Sequence, residues 1–176
     1  TASTPWRWLA VREAARIRNR AIPGAHVGVA LAAAKAGKHA CSAKPVVLSL
    51  KDGLALKKAA EANKVRVGCA PDTFLGGAHQ RARKAIDDGD VGKITSGTAH
   101  VMGFGMEHWH PNPDFFFKPG GGPILDMGPY YIANLSNLIG PVTRVAALTS
   151  MAQNWRTTSG QPRGGETMSD KTTTTD

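Results

Sequence analysis

The chain has 176 residues, of which 41% are hydrophobic and 20% are charged, and its formal net charge at pH 7 is +9. This size and composition suit one folded domain, or one and part of a second, and exclude a wholly disordered chain, a collagen and a coiled coil. No stretch approaches the roughly 18 apolar residues that a membrane-spanning helix requires, so the sequence predicts no membrane partner.

The first 20 residues contain five arginines and one glutamate. They lack the continuous apolar core of a secretory signal, so we interpret residues 1–16 as a basic N-terminal extension. The remaining positive charge is scattered along the chain and does not form a single stripe. The sequence therefore predicts no nucleic-acid partner.

The next elements alternate between helix and strand. Pro23, followed by an alanine-rich run that ends at Gly37, predicts a helix over residues 25–36. Ser49 with Asp52 resembles a capping box and predicts a second helix over residues 50–63. Strands are predicted around these helices at residues 39–42 and 65–69, and a third helix at residues 73–88. This alternation is typical of a parallel α/β sheet.

The pattern changes in the second half of the chain. Residues 94–102 and 142–148 read as strands, and they are separated by a Gly/Pro/aromatic loop at residues 103–122 and a helix at residues 126–138. Residues 153–176 have little apolar content, and we expect an exposed ribbon or a loose tail there.

For several candidate sites we favour a structural role without ligand binding. Glu107, His108 and His110 lack the spacing of a metal site, so no metal is predicted. The glycine run at residues 120–122 could cradle an anion, but a tight connection to the next helix is the favoured interpretation. Cys41 and Cys69 lie in predicted strands without CxxC spacing, which indicates buried, reduced thiols in a cytoplasmic protein.

Three residues are stronger candidates for ligand binding or catalysis. Lys44 follows a predicted strand and precedes Pro45, which holds it extended at the carboxyl end of a parallel sheet, where α/β proteins bind ligands. Asp126 could be the N-cap of the helix that follows it. Tyr130 would then lie on the same helix face as Asp126, four residues later.

Five motifs in order give these residues a context. Together they resemble the glucose–fructose oxidoreductase, inositol dehydrogenase and rhizopine-catabolism family, abbreviated Gfo/Idh/MocA. The matching segments are residues 19–26 (NRAIPGAH), 36–39 (AGKH), 43–45 (AKP), 89–94 (GDVGKI) and 120–128 (GGGPILDMG).

The resemblance implies a fold and a domain organisation. It implies an α/β chain in which the second half of a Rossmann-like parallel sheet precedes the first part of an α+β domain with an open, mainly antiparallel sheet. Residues 17–92 would form a partial NAD(P)-binding domain and residues 93–152 a partial substrate and oligomerisation domain. The implied partners are a sugar-like small molecule and further copies of the chain.

The resemblance also implies a reaction and its residues. Members of the family transfer a hydride between NAD or NADP and a carbinol of a sugar, cyclitol or similar molecule. Lys44 and Tyr130 would be catalytic, and Asp126 and His110 would bind substrate. The implied cofactor-binding residues are Asn19, Pro23, His26 and Lys44.

The sequence departs from the family pattern at several positions. Ala43 stands where the family has glutamate, Ala21 where it has threonine, and Tyr130 where many members have histidine. The GxGxxG turn, its strand and the acidic ribose-binding residue are missing ahead of Asn19, so we expect an incomplete enzyme that binds NAD(P) weakly by itself. The alternative is a non-catalytic α/β remnant that acts as a binding or interaction module.

Overall fold

The computed structural model describes residues 15–151 and 153–171. The chain divides into two compact units, residues 1–71 and residues 72–176. The basic extension expected at residues 1–16 therefore lies almost wholly outside the described residues. Its last residue, Arg16, already belongs to a strand.

The first unit is a three-stranded parallel sheet with two helices. Its elements in chain order are β1 (Arg16–Asn19), α1 (Pro23–Lys35), β2 (His39–Ala43), α2 (Leu50–Ala62) and β3 (Val67–Ala70). The strands lie in the order β1-β2-β3, and the register sets Ile17 beside Ala40 and Ala40 beside Val67. The predictions of α1, β2, α2 and β3 are confirmed to within a few residues.

Strand β1 was not predicted from the sequence, in which the partial NAD(P)-binding domain was expected to begin at residue 17. Its sequence RIRN has one apolar residue, and both arginine side chains are exposed while Ile17 is half-buried. An edge strand with one solvated face does not need a strongly apolar sequence.

The core of the first unit consists of small side chains. Ala30, Ala33 and Ala34 of α1 are completely buried, and the core cluster joins two of them to Ala40 of β2 and Leu56 of α2. Alanine lets a helix lie close to a sheet because its side chain ends at Cβ. The predicted cap of α2 is present, since Ser49 Oγ accepts a hydrogen bond from the Asp52 amide at 3.1 Å.

The second unit begins with a short 3-10 turn, Thr73–Leu75, and helix α3 (Gly77–Asp87). The single helix predicted over residues 73–88 is therefore interrupted, because Gly76 adopts an extended conformation with ψ of 152°. Helix α3 contacts α5 (Gly128–Ile139), where the Arg83 guanidinium donates a hydrogen bond to the Asn137 carbonyl at 2.8 Å. Helix α3 therefore belongs to the second compact unit.

The strands predicted at residues 94–102 and 142–148 are wrong as secondary structure. Neither segment pairs with another strand among the described residues, and most of their side chains are exposed. A Cβ on Gly97 would come within 2.7 Å of Ile139 Cδ1, so the first segment lies against α5. A strand requires a hydrogen-bonded neighbour, which an alternating sequence alone does not supply.

Residues 153–171 contain a hairpin, so this part of the segment expected to be an exposed ribbon or a loose tail forms a ribbon. Strands β4 (Trp155–Thr157) and β5 (Thr167–Ser169) pair antiparallel, with Arg156 opposite Met168. Thr158, Met168 and Asp170 are buried. The expected fold class is confirmed: a parallel α/β sheet precedes a region whose described pairing is antiparallel.

Both cysteines are free thiols, but Cys41 is exposed and Cys69 is half-buried. The prediction that both are buried is wrong for Cys41, because no described element covers the outer face of β2. No helix among the described residues has the length and apolar character needed to cross a membrane.

The exposed, unpaired segments at residues 94–102 and 142–148 generate the first prediction. We expect the chain to self-associate at tens of micromolar, because Val145 is 83% exposed and Leu148 is fully exposed on an unpaired extended segment. Sedimentation velocity measures this directly. Val145→Lys should shift the chain towards monomer. Ala55→Lys adds the same charge at an exposed position of α2 and should not change the association.

A monomer at every concentration in that range for the unchanged chain would contradict this prediction. Equal effects of the two lysine substitutions would show that net charge alone controls association.

Candidate functional site

Lys44 lies at the end of a strand, as the sequence predicts. It follows β2 directly, is half-buried, and is joined by a cis peptide bond to the buried Pro45. It thus leaves the carboxyl end of the central strand of a parallel sheet, which is the edge that binds ligands in α/β folds.

A buried asparagine links the turns at this edge. Asn19 ends β1 and is 3% exposed. Its amide nitrogen donates to the His26 carbonyl at 2.8 Å and to Ser42 Oγ at 3.1 Å, and its side-chain oxygen accepts from the Ala21 amide at 3.3 Å. These bonds fix the end of β1 to both β2 and the first turns of α1.

His26 is the second buried polar residue at this edge, and it is 1% exposed. Its Nδ1 lies 2.5 Å from the Pro45 carbonyl oxygen, and its Nε2 lies 2.8 Å from the Ala21 carbonyl oxygen. Each ring nitrogen thus faces a carbonyl oxygen, a group that only accepts hydrogen bonds. The ring therefore ties α1 to the turn after β1 and to the turn that carries Lys44.

These contacts change how two predicted cofactor-binding residues are interpreted. The polar side-chain atoms of Asn19 and His26 bond within the protein, and both side chains are buried. They shape the surrounding turns, and their role as cofactor-binding residues stays a prediction. Pro23 is the first residue of α1 and is half-buried.

Asp126 and Tyr130 lie in two different helices. Asp126 ends the short helix α4 (Gly122–Asp126), and Tyr130 lies in the first turn of α5; the two helices are separated by Met127. The expectation that Asp126 caps the helix carrying Tyr130 is wrong, because Met127 is the N-cap. Both side chains are half-buried.

The glycine run before α4 is the tight connection that the sequence favoured. A Cβ on Gly121 would come within 2.6 Å of the carbonyl oxygens of Phe115 and Phe116, so backbone passes directly over backbone there. Gly120 and Gly122 have φ of 87° and 82°, a region that favours glycine.

His110 belongs to the loop that precedes this run and is half-buried. Its Nδ1 accepts a hydrogen bond from the Asn112 amide at 3.0 Å, which makes Nε2 the protonated nitrogen of the neutral ring. Edge-on contacts with three aromatic rings, those of Trp109, Phe115 and Phe116, hold the imidazole in place. Among the described residues, no three metal-ligating side chains cluster together.

A cavity of about 510 Å³ opens beside Asp126 within the second unit. Besides Asp126, its charged lining residues are Arg156 and Asp170 from the hairpin. The sequence did not point to these two residues, because they lie in a polar segment that was expected to be an exposed ribbon or a loose tail. Arg156 pairs with Met168, two residues before Asp170, and these three-residue strands are too short to be predicted from their sequence.

Arg156 bridges two buried carboxylates. Its Nε donates to Asp170 Oδ2 at 3.2 Å, and its Nη1 lies 3.5 Å from Glu107 Oε1. The guanidinium also stacks over the Phe117 ring at 5.6 Å from its centroid. Glu107 is 3% exposed, and its Oε2 has no hydrogen-bond partner.

Further hydrogen bonds hold the hairpin against the loop that contains His110. The amides of Ser159 and Gly160 donate to the Glu107 carbonyl at 3.1 and 3.0 Å. His108 Nδ1 lies 2.6 Å from Ser159 Oγ. The hairpin thus fixes the backbone at Glu107 and the side chain of His108.

An ion pair between Arg163 and Asp114 closes the far end of the hairpin. The hydrogen bond from Arg163 lowers the pKa of Asp114, and hydrogen bonds to Asp114 and Glu166 raise the pKa of Arg163. The ion pair stabilises the docked hairpin as long as Asp114 is ionised.

The lowered pKa of Asp114 predicts acid sensitivity of the hairpin. The Arg163–Asp114 ion pair contributes its full stability above about pH 4, the pKa of an aspartate in the unfolded chain. This stability is lost as the pH falls through the lower pKa that Asp114 has in the folded chain. Hydrogen exchange at the Gly160 amide should therefore accelerate below about pH 4. Asp114→Asn should remove most of this acid dependence.

Asp87→Asn is the matched control, because the pKa of Asp87 is also lowered by an arginine, Arg83, but on α3. Asp87→Asn should leave the pH dependence of hydrogen exchange at the Gly160 amide unchanged. Identical profiles for the unchanged chain and Asp114→Asn would contradict the role of this ion pair.

The His26 contacts predict a loss of stability on truncation. His26→Ala leaves two carbonyl oxygens without their buried donors and opens a void, so we expect the free energy of unfolding to fall by about 2–4 kcal/mol. Urea unfolding followed by circular dichroism measures this loss. His100→Ala, at an exposed position, should change it by less than about 0.5 kcal/mol. Equal losses in the two variants would contradict the prediction.

The solved structures most useful for comparison share this fold at low sequence identity. An NAD-binding oxidoreductase from Klebsiella pneumoniae matches 96% of the chain at 21% identity with a TM-score of 0.77, and 45% of that protein is covered. Levoglucosan dehydrogenase in its apo form matches 96% at 22% identity with a TM-score of 0.74, and 46% of it is covered.

A third structure is the WlbA dehydrogenase from Bordetella pertussis in complex with NADH and UDP-GlcNAcA. It matches 93% of the chain at 24% identity with a TM-score of 0.66, and 46% of it is covered. The chain thus spans less than half the length of each of these proteins. No curated protein matches it at a significant level of sequence similarity.

The family profile of the GFO/IDH/MocA C-terminal domain matches residues 79–173, which is more than half of the chain. This region includes the glycine run, Asp126, Tyr130 and the docked hairpin. The chain therefore belongs to the GFO/IDH/MocA family.

Proposed function

We propose that this chain acts in an NAD(P)-dependent oxidoreductase that transfers a hydride between nicotinamide and a carbinol of a sugar, cyclitol or similar small molecule. The observation that carries this proposal is the Lys44-Pro45 turn. It lies at the carboxyl end of a parallel strand and is anchored by a buried histidine. Family membership and the fold shared with NAD-binding dehydrogenases support it.

The first unit would provide contacts to the cofactor. The first turn of α1 has no side-chain cap and no acidic residue, which suits an anionic group near its amides. We assign cofactor contacts to Pro23 and Lys44. Asn19 and His26 would hold the turns on which these two residues lie. When bound, the nicotinamide supplies a hydride acceptor or donor.

The second unit would provide contacts to the substrate. Asp126 and the Nε2–H of His110 would bind hydroxyl groups. Tyr130 would accept the hydroxyl proton as the hydride leaves the carbinol carbon, and the Lys44 ammonium would polarise the carbinol oxygen. We further propose that copies of the chain associate through the exposed extended segments of this unit.

Substitution of the two proposed catalytic residues tests this function. Hydride transfer is followed by nicotinamide absorbance with a panel of polyols and millimolar NAD or NADP. Lys44→Ala and Tyr130→Phe should each lower turnover by about 10²-fold, the usual effect of removing a positioned proton-transfer or polarising group. Circular dichroism should remain unchanged.

The chain offers a matched control for each substitution. Lys51→Ala removes an exposed lysine of α2, and Tyr131→Phe removes the neighbouring phenol of α5. Both should retain turnover. Transfer that is absent with every substrate and both cofactors, in a folded chain, would reject the proposed activity and favour a binding module.

A further inference from the structure

Positive charge is concentrated in the first unit. Residues 1–71 contain 13 Lys and Arg against three Asp and Glu, a formal charge of +10, whereas residues 72–176 contain nine against ten, a charge of −1. The sequence as a whole predicts no nucleic-acid partner because its charge is scattered, but the division into two units makes the distribution one-sided. A small unit of such high charge attracts polyanions.

One face of the parallel sheet is covered by helices, and no described element covers the opposite face. Ile17, Ala40 and Val67 pair across the three strands and belong to the core formed with α1 and α2. Side chains alternate along a strand, so the neighbours of these three residues point to the opposite face. This outer face consists of Arg16, Arg18, His39, Cys41, Arg66 and Gly68. All of these residues are exposed except His39, which is half-buried.

Arginines occupy the two margins of the outer face. Arg16 lies beside His39, whose Nδ1 accepts a hydrogen bond from the Arg66 amide at 2.9 Å. Arg16 and Arg18 are two residues apart on β1, so about 6.6 Å of strand separates them. Two guanidinium groups therefore lie along the β1 margin, and a third lies at the start of β3.

The middle of the outer face is shallow and has no acidic neighbours in its strands. Arg18 lies beside Cys41, which lies beside Gly68, and a Cβ on Gly68 would have no other atom within 4 Å. Within residues 15–71 the acidic residues are Asp52 and Glu61, and both belong to α2, which packs on the other face. No carboxylate of these residues therefore shares the outer face with the arginines.

This combination of charge and shape matches a single-stranded nucleic acid. Guanidinium groups donate paired hydrogen bonds to phosphate oxygens, and unstacked bases lie flat on guanidinium planes. The shallow middle of the face admits a flat ring between the two margins. A flat sheet presents no helix or ribbon that could enter a duplex groove, and an acidic peptide offers charge without a flat ring in every residue. The single strand is consequently the better match.

We infer that the outer face binds single-stranded nucleic acid through its phosphates, without preference for sequence. The inference does not depend on the proposed hydride transfer, because no residue of the outer face is assigned to that reaction. Its failure would leave the proposed function untouched.

The salt dependence of binding tests the arginines. Fluorescence anisotropy of a labelled oligothymidylate of about 20 nucleotides measures binding to the full chain. Each phosphate contact to a single strand contributes about −0.7 to the slope of log K against log salt concentration, so three arginines should give a slope of about −2. Arg18→Gln should weaken binding severalfold and make the slope smaller by about 0.7, and Arg66→Gln should do the same.

Lys58→Gln is the matched control, because it removes one positive charge from an exposed position of α2, away from the outer face. It should leave the salt slope unchanged. Circular dichroism of all three variants should equal that of the unchanged chain, since each substitution is at an exposed position.

The two free thiols report where the strand binds. N-Ethylmaleimide is uncharged and should modify the exposed Cys41, and saturating oligothymidylate should slow this modification severalfold. Cys69 is half-buried and precedes Ala70 on the face opposite to Gly68, so its modification should not change. Mass spectrometry of tryptic peptides separates the two sites.

Three results would overturn the inference. Equal changes of the salt slope in Arg18→Gln and Lys58→Gln would show that net charge alone binds the strand. An unprotected Cys41 at saturation would place the strand elsewhere on the chain. Tighter binding of a duplex of the same length, of polyglutamate or of phosphatidylserine vesicles would assign the outer face to a different partner.

Discussion

A single buried imidazole between two carbonyl oxygens constrains the carboxyl end of the first sheet. His26 reaches the turn after β1 through Ala21 and the turn after β2 through Pro45, while Asn19 joins the same strands through Ser42. Leaving any of these buried groups unpaired costs about 1–3 kcal/mol, so the turns cannot move independently. The position of Lys44 therefore depends on the buried side chains of His26 and Asn19.

In the second unit, ion pairs hold the hairpin in place, whereas a histidine and an asparagine hold the turns of the first unit. Among the described residues of the second unit, the buried large apolar side chains are Phe117 and Met168, each 8% exposed. The hairpin is instead fixed by Arg156 between two carboxylates and by Arg163 on Asp114. Removing one partner of a buried pair costs more than the pair contributes, so such contacts specify a single docked position more strongly than they stabilise it.

The sequence predicted the local features of this protein well. Helices α1 and α2, the serine cap, the close backbone approach at Gly121 and the place of Lys44 after a strand each follow from a few neighbouring residues. The contacts of His26 could not be predicted in this way, because its partners, five and nineteen residues away, are carbonyl oxygens that any residue provides. The Arg156 cluster likewise joins residues 49 and 14 positions apart.

The failed predictions share a physical cause. The sequences of residues 94–102 and 142–148 are typical of strands, yet these segments are mostly exposed. The neighbours of Cys41 in the sequence indicate a buried residue, yet Cys41 is exposed. Periodicity records which face of a segment is suited to burial, whereas burial itself requires a second element on that face. Residues 153–171 show the converse, since a polar sequence becomes ordered when its partners are the carbonyl and carboxylate groups of a neighbouring loop. Sequence patterns therefore predict an element most reliably where its partner is near in the chain, as in α1 and β2.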